Sequence, residues 1–120
     1  MKNVIICGGR HYDNRMLVQQ TLKAIMNKHG EFVVIHGGAT GADTLAGEEA
    51  TKLGLVVKVY PADWSTYGKR AGYLRNKKML TDGKADAVVA FNGGRGTAMM
   101  KLLAVQAGIP VWDREVIKLN

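Results

Sequence analysis

Apolar and polar positions along this chain follow two regular patterns, which predict strands and helices in alternation. Five short runs rich in Val, Ile and Leu lie at residues 3–7, 32–36, 55–60, 85–91 and 109–112. Their continuous apolar character is typical of parallel strands that are covered on both faces.

The segments between these runs carry apolar residues at helical spacing. Val18, Leu22 and Ile25 predict a first helix, with Asp13 as its N-cap and Gly30 as its end. The apolar sets of two further helices are Ala42, Leu45, Ala46, Ala50 and Leu53, before Gly54, and Ala98, Leu102 and Val105, before Gly108. A helix over residues 71–80 is also predicted, although Lys77 and Lys78 interrupt its apolar side.

Alternating strands and helices, with connections long enough for parallel pairing, predict the α/β class with a mainly parallel sheet of about five strands. We expect a single domain over residues 1–120. Right-handed crossovers place the carboxyl ends of all strands at one edge, and ligands bind there where the strand order reverses. If the first and fourth strands are neighbours at that point, the turns that follow them face each other.

Three glycine-rich turns follow the first, second and fourth predicted strands, at residues 8–10, 37–43 and 93–97. Glycine lets the backbone approach a ligand closely, and a helix N-terminus offers unpaired N–H groups to an anion. Two of the turns also carry an arginine, Arg10 and Arg95. Together the turns predict a site for a small molecule that carries phosphate.

The turn at 93–97 has the strongest local pattern. Its glycines allow several N–H groups to converge, Thr97 is a candidate cap for the next helix, and Arg95 offers a charge-assisted contact to phosphate. The alternative is a plain strand-to-helix connection, which rarely needs three glycines.

The turn at 37–43 is a second anion-compatible turn, but it matches neither the P-loop nor the G-x-G-x-x-G dinucleotide pattern. Asp43 in this turn has three interpretations that stay open. Its carboxylate interacts favourably with the helix dipole, accepts a hydrogen bond from a ribose hydroxyl, or serves as an acid or base.

An aromatic and basic segment follows the third strand. Trp64 or Tyr67 is a candidate to stack on a base, and Lys69 and Arg70 are candidates to meet phosphate. Trp64 has the alternative role of covering the end of the core. Arg75, in the next helix, either points into the crevice or lies on the surface.

Charge narrows the classes of partner. Seventeen basic and ten acidic residues give a formal charge of +7, which suits an anionic small molecule or a nucleic acid. Nucleic acid is the less favoured of the two, because the chain has no run of five like charges and no basic tail. No apolar stretch reaches the roughly 18 residues needed to span a bilayer, so no membrane contact is expected.

Cysteine and histidine usage bears on location and metal binding. Cys7 is the one cysteine, which fits a reducing compartment, and the N-terminus lacks a signal-peptide cleavage site, so we expect a cytoplasmic protein. We interpret Cys7 as a small buried hydrophobe and His36 as a hydrogen-bonded core residue. The histidines lack metal-ligand spacing, so no metal is predicted.

The motifs, taken in order along nearly the whole chain, resemble the YspA-related family of the SLOG superfamily. The residues that carry the resemblance are Gly8, Gly9, Arg10 and Asp13, then residues 34–39 and 41–43, then 61–64, Tyr67, Gly68, Ala71, Gly72, Arg75, Asn76 and Met79, then Phe91 and residues 93–98.

This resemblance implies a Rossmann-like three-layer sandwich that binds a nucleotide or a nucleotide-derived ligand, such as ADP-ribose or an NAD derivative, as a sensor or sequestering module. No cofactor is implied. The phosphate-binding turn falls on Gly93, Gly94, Gly96 and Thr97. The full set of predicted ligand-binding residues is Gly8, Gly9, Arg10, Gly37, Gly38, Asp43, Trp64, Arg75, Gly93, Gly94, Arg95, Gly96 and Thr97.

Two departures from the superfamily favour binding over catalysis. The LOG phosphoribohydrolases carry a glutamate where this chain has Met100, and YspA-like chains often carry an acidic residue where it has Met99. The enzymatic alternative is a hydrolase of N-glycosidic or pyrophosphate bonds. Asp43 or Asp63 would act as acid or base, and Arg75 or Arg95 would stabilise the developing charge.

Two further hypotheses concern partners. Single-stranded nucleic-acid binding is a second alternative function, supported by the charge of +7 and by the presence of the DNA-processing protein DprA in the superfamily. A homo-oligomer that forms through apolar helix faces is also expected.

Overall fold

Five parallel strands and the helices that connect them make up the computed structural model, which describes residues 1–114. The strands are β1 (Lys2–Cys7), β2 (Phe32–His36), β3 (Val56–Val59), β4 (Ala87–Ala90) and β5 (Val111–Asp113). The helices are α1 (Arg15–His29), α2 (Ala42–Lys52), α3 (Trp64–Tyr67), α4 (Ala71–Thr81) and α5 (Arg95–Gln106), and a 3-10 turn (Gly68–Arg70) joins α3 to α4.

The strand order in the sheet is β3-β2-β1-β4-β5, and every pair is parallel. The chain moves outward from β1 to β3 and then returns to the other side of β1, so Val4 pairs with Val34 on one side and with Ala87 on the other. The strand order therefore reverses between β1 and β4, which confirms the predicted α/β, Rossmann-like architecture.

Alternate residues of the central strands face two separate cores. Val4, Ile6 and Val34 pack under α1 and α2, whereas Ile5, Ile35 and Val88 pack under α4 and α5. Both faces of the central strands are covered, as their continuous apolar runs predicted. Within the described chain, no helix is long and apolar enough to cross a membrane.

The edge strand β3 departs from this pattern. Val56 and Val59 are about half exposed, at 48% and 50%. β3 has only β2 as a neighbour, so an apolar run at the edge of the sheet is not buried in the way that its composition indicates. The third and fourth predicted strands are also longer than the observed ones, and the fifth observed strand lies slightly later in the chain.

The predicted N-cap of α1 is wrong by one residue. The side chain of Asn14, rather than that of Asp13, accepts a hydrogen bond from the Leu17 N–H at 3.1 Å. The predicted end is confirmed, since Gly30 donates its N–H to the Met26 carbonyl at 2.8 Å.

The predicted core face of α5 is also wrong. Ala98, Leu102 and Val105 are exposed, and the buried residues are instead Thr97, Met100 and Ala104. α5 is apolar on two sides, so helical spacing alone selects the wrong stripe. The outer stripe, formed by Ala98, Leu102 and Val105, faces away from the core that the inner stripe completes.

The turns after β1, β2 and β4 are in direct backbone contact with one another. Gly9 donates its N–H to the Asn92 carbonyl at 2.8 Å and accepts the Ala42 N–H at 3.1 Å. A Cβ at Gly8 would lie only 2.6 Å from the Cβ of Ala42, and one at Gly9 would lie 3.0 Å from the Asn92 carbonyl oxygen. The first turn is therefore held between the other two, with no room for side chains.

Replacement of Gly41 by alanine tests this interlocking. Gly41 and Gly54 both have φ of +76°, but a Cβ at Gly41 would overlap the backbone of Gly9 and Arg10, whereas one at Gly54 would meet nothing within 4 Å. Gly54→Ala is the matched control and should cost about 1–2 kcal/mol of unfolding free energy for its left-handed backbone. Gly41→Ala should cost about 2 kcal/mol more, because of the overlap and because its ψ of −125° at positive φ is a backbone conformation that favours glycine. Equal losses in urea unfolding would show that the turns have room to separate.

Candidate functional site

A cleft of about 1260 Å³ opens at the carboxyl edge of the sheet, where β1 and β4 are neighbours. The turns after β1, β2 and β4 line it, together with residues before α3 and on α4. All of the residues predicted to bind a ligand lie along this cleft: Gly8, Gly9, Arg10, Gly37, Gly38, Asp43, Trp64, Arg75, Gly93, Gly94, Arg95, Gly96 and Thr97. The structure thus brings together residues that are far apart in the sequence.

The N-terminus of α5 faces the cleft without a side-chain cap. The helix begins at Arg95 with Gly94 as N-cap, and no described side chain accepts a hydrogen bond there. A Cβ at Gly94 or Gly96 would meet no atom within 4 Å. The first N–H groups of a helix have no partner within the helix, so this end presents donors to open space.

The predicted cap at Thr97 is wrong. α5 begins two residues before Thr97, which is therefore a buried residue of the first turn. A Cβ at Gly93 would collide with the Thr97 hydroxyl and would lie 2.8 Å from the Gly9 nitrogen. Gly93 is thus required by packing, whereas the two glycines that follow it are not.

The turn before α2 is occupied by a carboxylate of the protein itself. The Asp43 carboxylate accepts hydrogen bonds from the N–H groups of Gly37 at 3.0 Å and Ala39 at 3.2 Å. Burial raises the pKa of Asp43, while these hydrogen bonds and the nearby His36 and Arg75 act in the opposite direction. This turn is therefore stabilised by an internal anion, as expected for an acidic residue in the first turn of a helix.

Arg75 points from α4 into the cleft. Its Nη1 donates to the Gly37 carbonyl at 2.8 Å, and its Nε donates to Asn76 Oδ1 at 2.9 Å. A Cβ at Gly37 would overlap the guanidinium, so glycine at this position makes room for it. Burial lowers the pKa of Arg75, the nearby Asp43 raises it, and the charge of Arg10 lowers it. Arg10 and Arg75 both line the cleft.

Two buried groups below the cleft are unsuited to nucleophilic or metal chemistry. Burial raises the pKa of the Cys7 thiol to about 12, and the charge of Asp43 adds to the effect, so the thiol is protonated at neutral pH. His36 Nδ1 accepts the Gly38 N–H at 3.0 Å. Cys7 and His36 are buried, as predicted. Over residues 1–114, no three His, Cys, Asp or Glu side chains come together as a metal-binding group.

Asp63, a candidate acid or base, does not line the cleft. Its carboxylate caps α3 by accepting hydrogen bonds from the Thr66 N–H at 3.1 Å and the Ser65 hydroxyl at 2.9 Å. These hydrogen bonds hold the pKa of Asp63 below its usual value. The position of Asp63 fits a helix cap and gives no support to a catalytic role.

Trp64 and Tyr12 form part of the cleft wall. Trp64 is 50% exposed, which differs from the alternative in which it covers the end of the core. The sequence pattern did not single out Tyr12, although it follows the first glycine turn. Its ring lies 5.2 Å from that of Phe91, and its hydroxyl is buried without a hydrogen-bond partner among the described residues.

Fold and cleft together define a Rossmann-like module of the nucleotide-related binding class. Residues 2–67 match the YAcAr family, described as the YspA, cpYpsA-related SLOG family. The Gene 61 protein of Mycobacterium phage D29 is 38% identical over 120 residues, which cover 92% of this chain and 94% of that protein. The chain belongs to the YspA, cpYpsA-related SLOG family.

Two solved structures share the fold at low sequence identity. The X-ray structure of TM1055, a structural genomics target, has a TM-score of 0.74 at 22% identity and covers 92% of this chain and 72% of its own. MurG from Acinetobacter baumannii has a TM-score of 0.64 at 16% identity, and the match covers 99% of this chain and 37% of MurG.

The hydrogen bond that His36 accepts predicts a pH dependence of stability. Burial lowers the pKa of His36, so its stabilising contribution is complete above its ordinary value of about 6.5 and is lost as the pH falls through that region. His36→Gln keeps a side-chain acceptor that does not titrate. Between pH 7 and pH 5 the unfolding free energy of this variant should fall less steeply than that of the wild type. The two slopes should differ by up to about 1 kcal/mol per pH unit.

Urea unfolding at several pH values checks this expectation. His29→Gln, at the exposed end of α1, is the control and should keep the wild-type slope. Identical slopes for His36→Gln and the wild type would show that His36 does not contribute to the pH dependence.

Proposed function

We propose that this protein is a single-domain module over residues 1–120 that binds a nucleotide or nucleotide-derived ligand of the ADP-ribose or NAD-derivative class. In this proposal a phosphate of the ligand binds at the N-terminus of α5. The observation that carries the proposal is the uncapped start of α5, where Gly94 and Gly96 face open space inside the cleft.

The contrast between α2 and α5 supports this placement. Both helices begin at a glycine turn on the same edge of the sheet, where a helix N-terminus stabilises negative charge. At α2 the Gly9 carbonyl already accepts the first helical N–H, that of Ala42, and the Asp43 carboxylate accepts the N–H groups of Gly37 and Ala39 in the preceding loop. At α5 neither kind of acceptor is present among residues 1–114. A phosphate has the charge and the acceptor oxygens to satisfy these donors.

The cations of the cleft support a ligand with more than one phosphate. Arg10 and Arg75 both line the cleft, and the charge of Arg10 lowers the pKa of Arg75 while Asp43 opposes this effect. A ligand anion would add a partner for Arg10, and Arg95 adds a further cation at the start of α5. A nucleoside diphosphate group suits this arrangement better than a single phosphate.

The base of the ligand is assigned to the Trp64 side of the cleft. Half of the Trp64 surface is exposed, and its ring lies on the cleft wall, where a purine can stack on it. Typical ligand cavities measure about 300–1,000 Å³, so a cleft of about 1260 Å³ has room for a dinucleotide-sized molecule.

Replacement of Gly96 by alanine separates binding from folding. The added methyl group meets no protein atom, so stability should stay the same or rise by about 0.5–1 kcal/mol, because alanine is the better helix former. The methyl group would occupy the proposed phosphate position, so affinity for ADP-ribose, AMP or NAD should fall at least about tenfold in isothermal titration calorimetry.

Gly30→Ala is the control for affinity, because its Cβ also meets open space but lies at the far end of α1. Its φ of +76° makes alanine strained there, so this variant is compared with the wild type in affinity and not in stability. It should bind like the wild type. Wild-type affinity in Gly96→Ala would place the phosphate elsewhere, and no binding of any ligand in the panel would refute the ligand class.

A hydrolase of N-glycosidic or pyrophosphate bonds is a second candidate, favoured by Asp43. This buried carboxyl lines the cleft, and burial raises its pKa, which is a common property of acid and base groups. Native mass spectrometry of protein incubated with ADP-ribose or NAD distinguishes the two functions. A bound ligand of unchanged mass supports the binding module. A released base or split phosphate that disappears in Asp43→Asn supports the hydrolase.

We also propose that the protein forms a homo-oligomer through the outer stripe of α5. Leu102 and Val105 are 58% and 66% exposed, and the stripe that they form with Ala98 has no charged residue. In a chain with a formal charge of +7, copies approach with least repulsion at an uncharged apolar surface.

The location of the protein in the cytoplasm stays a prediction.

A charge placed in the outer stripe tests this interface. Leu102→Glu should shift the wild-type oligomer to monomer in sedimentation velocity, because a carboxylate cannot be buried there without a partner. Met16→Glu changes an equally exposed apolar residue on α1 and should leave the oligomer intact. A monomeric wild-type protein would contradict the proposal.

A further inference from the structure

We propose that α3, the 3-10 turn and α4 present a second binding surface, for single-stranded nucleic acid, outside the cleft. Residues 64–81 contain five basic residues, three aromatic residues and no aspartate or glutamate. We call their exposed side the α3–α4 face, formed by Tyr67, Lys69, Arg70, Tyr73, Lys77 and Lys78.

The aromatic rings of this face are accessible. Tyr67 is 53% exposed and Tyr73 is 37% exposed. α3 and the 3-10 turn bury no residue at all, so this segment contributes nothing to the core. Tyr67 thus lies on a segment without buried residues, and Tyr73 is an exposed residue of α4, so both rings are available to a partner.

Helical geometry aligns the rings with cations. Arg70 precedes Tyr73 by three residues and Lys77 follows it by four, so the three side chains share one side of α4. The Lys77 Nζ lies 5.6 Å from the centroid of the Tyr73 ring. α4 buries Ala71, Asn76, Met79 and Leu80, and its exposed residues include Tyr73, Lys77 and Lys78.

The cations of the face are not neutralised by the protein. Among residues 1–114 the salt bridges join Arg15, Lys52 and Lys101 to acidic partners, and none of them involves Lys69, Arg70, Lys77 or Lys78. The face is also distinct from the cleft, because none of its six residues lines that cavity.

Interleaved rings and cations match the chemistry of a single strand. Unpaired bases stack on aromatic side chains while basic side chains meet the phosphates. A duplex hides the faces of its bases, so it offers nothing to Tyr67 and Tyr73. An acidic protein would use the cations but would gain little from the exposed rings.

Fluorescence anisotropy with a labelled oligothymidine tests the proposal on the full chain. For a single strand, each phosphate contact contributes about −0.7 to the slope of log K against the logarithm of the salt concentration. Four basic side chains therefore predict a slope of about −3. Affinity should then fall about 50-fold between roughly 50 mM and 200 mM salt. A duplex of the same length should bind more weakly.

Paired variants locate the surface. Lys69→Gln with Arg70→Gln should weaken binding and reduce the slope by about 1.4. Lys23→Gln with Lys28→Gln makes the same change of charge on exposed positions of α1, on the other side of the sheet, and should have a much smaller effect. Tyr67→Leu with Tyr73→Leu keeps the charge and should weaken binding about tenfold through lost stacking.

Three results would overturn the proposal. They are the absence of oligothymidine binding at low salt, an equal loss in the α1 double variant, and equally effective competition by polyglutamate, which would indicate an acidic protein partner. Gly96→Ala keeps the α3–α4 face intact and should bind the oligonucleotide like the wild type. The failure of this proposal is therefore separable from failure of the proposed function.

Discussion

The close backbone approach of three turns at the carboxyl end of β1 is the constraint on which the rest of the cleft depends. Gly9 is hydrogen-bonded to the turn after β4 on one side and to the start of α2 on the other. These contacts require a first turn without side chains, since a Cβ at Gly8 would lie 2.6 Å from that of Ala42. They set the positions of two helix N-termini relative to the point where the strand order reverses. The cleft is thus a consequence of packing in the protein itself, whatever ligand it binds.

The two glycine turns at this edge differ because the protein itself occupies the donors of one of them. Asp43 accepts the N–H groups of Gly37 and Ala39 in the turn after β2, and the Gly9 carbonyl accepts the first N–H of α2. The half-buried guanidinium of Arg75 donates to the Gly37 carbonyl in the same turn, so positive and negative charge are paired there. The start of α5 has neither kind of acceptor among residues 1–114. Two turns that look alike in the sequence therefore differ in how far the protein satisfies their donors.

Much of the fold follows from the sequence, and the differences have physical causes. The central strands are easy to predict from the sequence because both of their faces are buried. β3 is similarly apolar, but it lies at the edge of the sheet, where Val56 and Val59 are about half exposed. For α5 the spacing identifies a helix but not its buried side, because both stripes are apolar and only the three-dimensional packing distinguishes them. The site residues gather as expected from the strand order. Their roles do not follow from pattern, since glycine is required at Gly8 and Gly37 for packing, and Asp63 is a helix cap that does not line the cleft.

Met100 links the core to the character of the cleft. It is 1% exposed, packs in the core between the sheet and α5, and also lies at the base of the cleft below the first turn of α5. A carboxylate at this position, as in the LOG phosphoribohydrolases that the chain resembles, would be desolvated unless a partner satisfied it. Methionine removes that requirement and gives the proposed phosphate position an apolar floor. The same substitution leaves Asp43 as the buried carboxyl of the cleft, and its Oδ2 already accepts two backbone N–H groups. A site of this kind offers fixed donors to an anion, which is in keeping with the binding function proposed above.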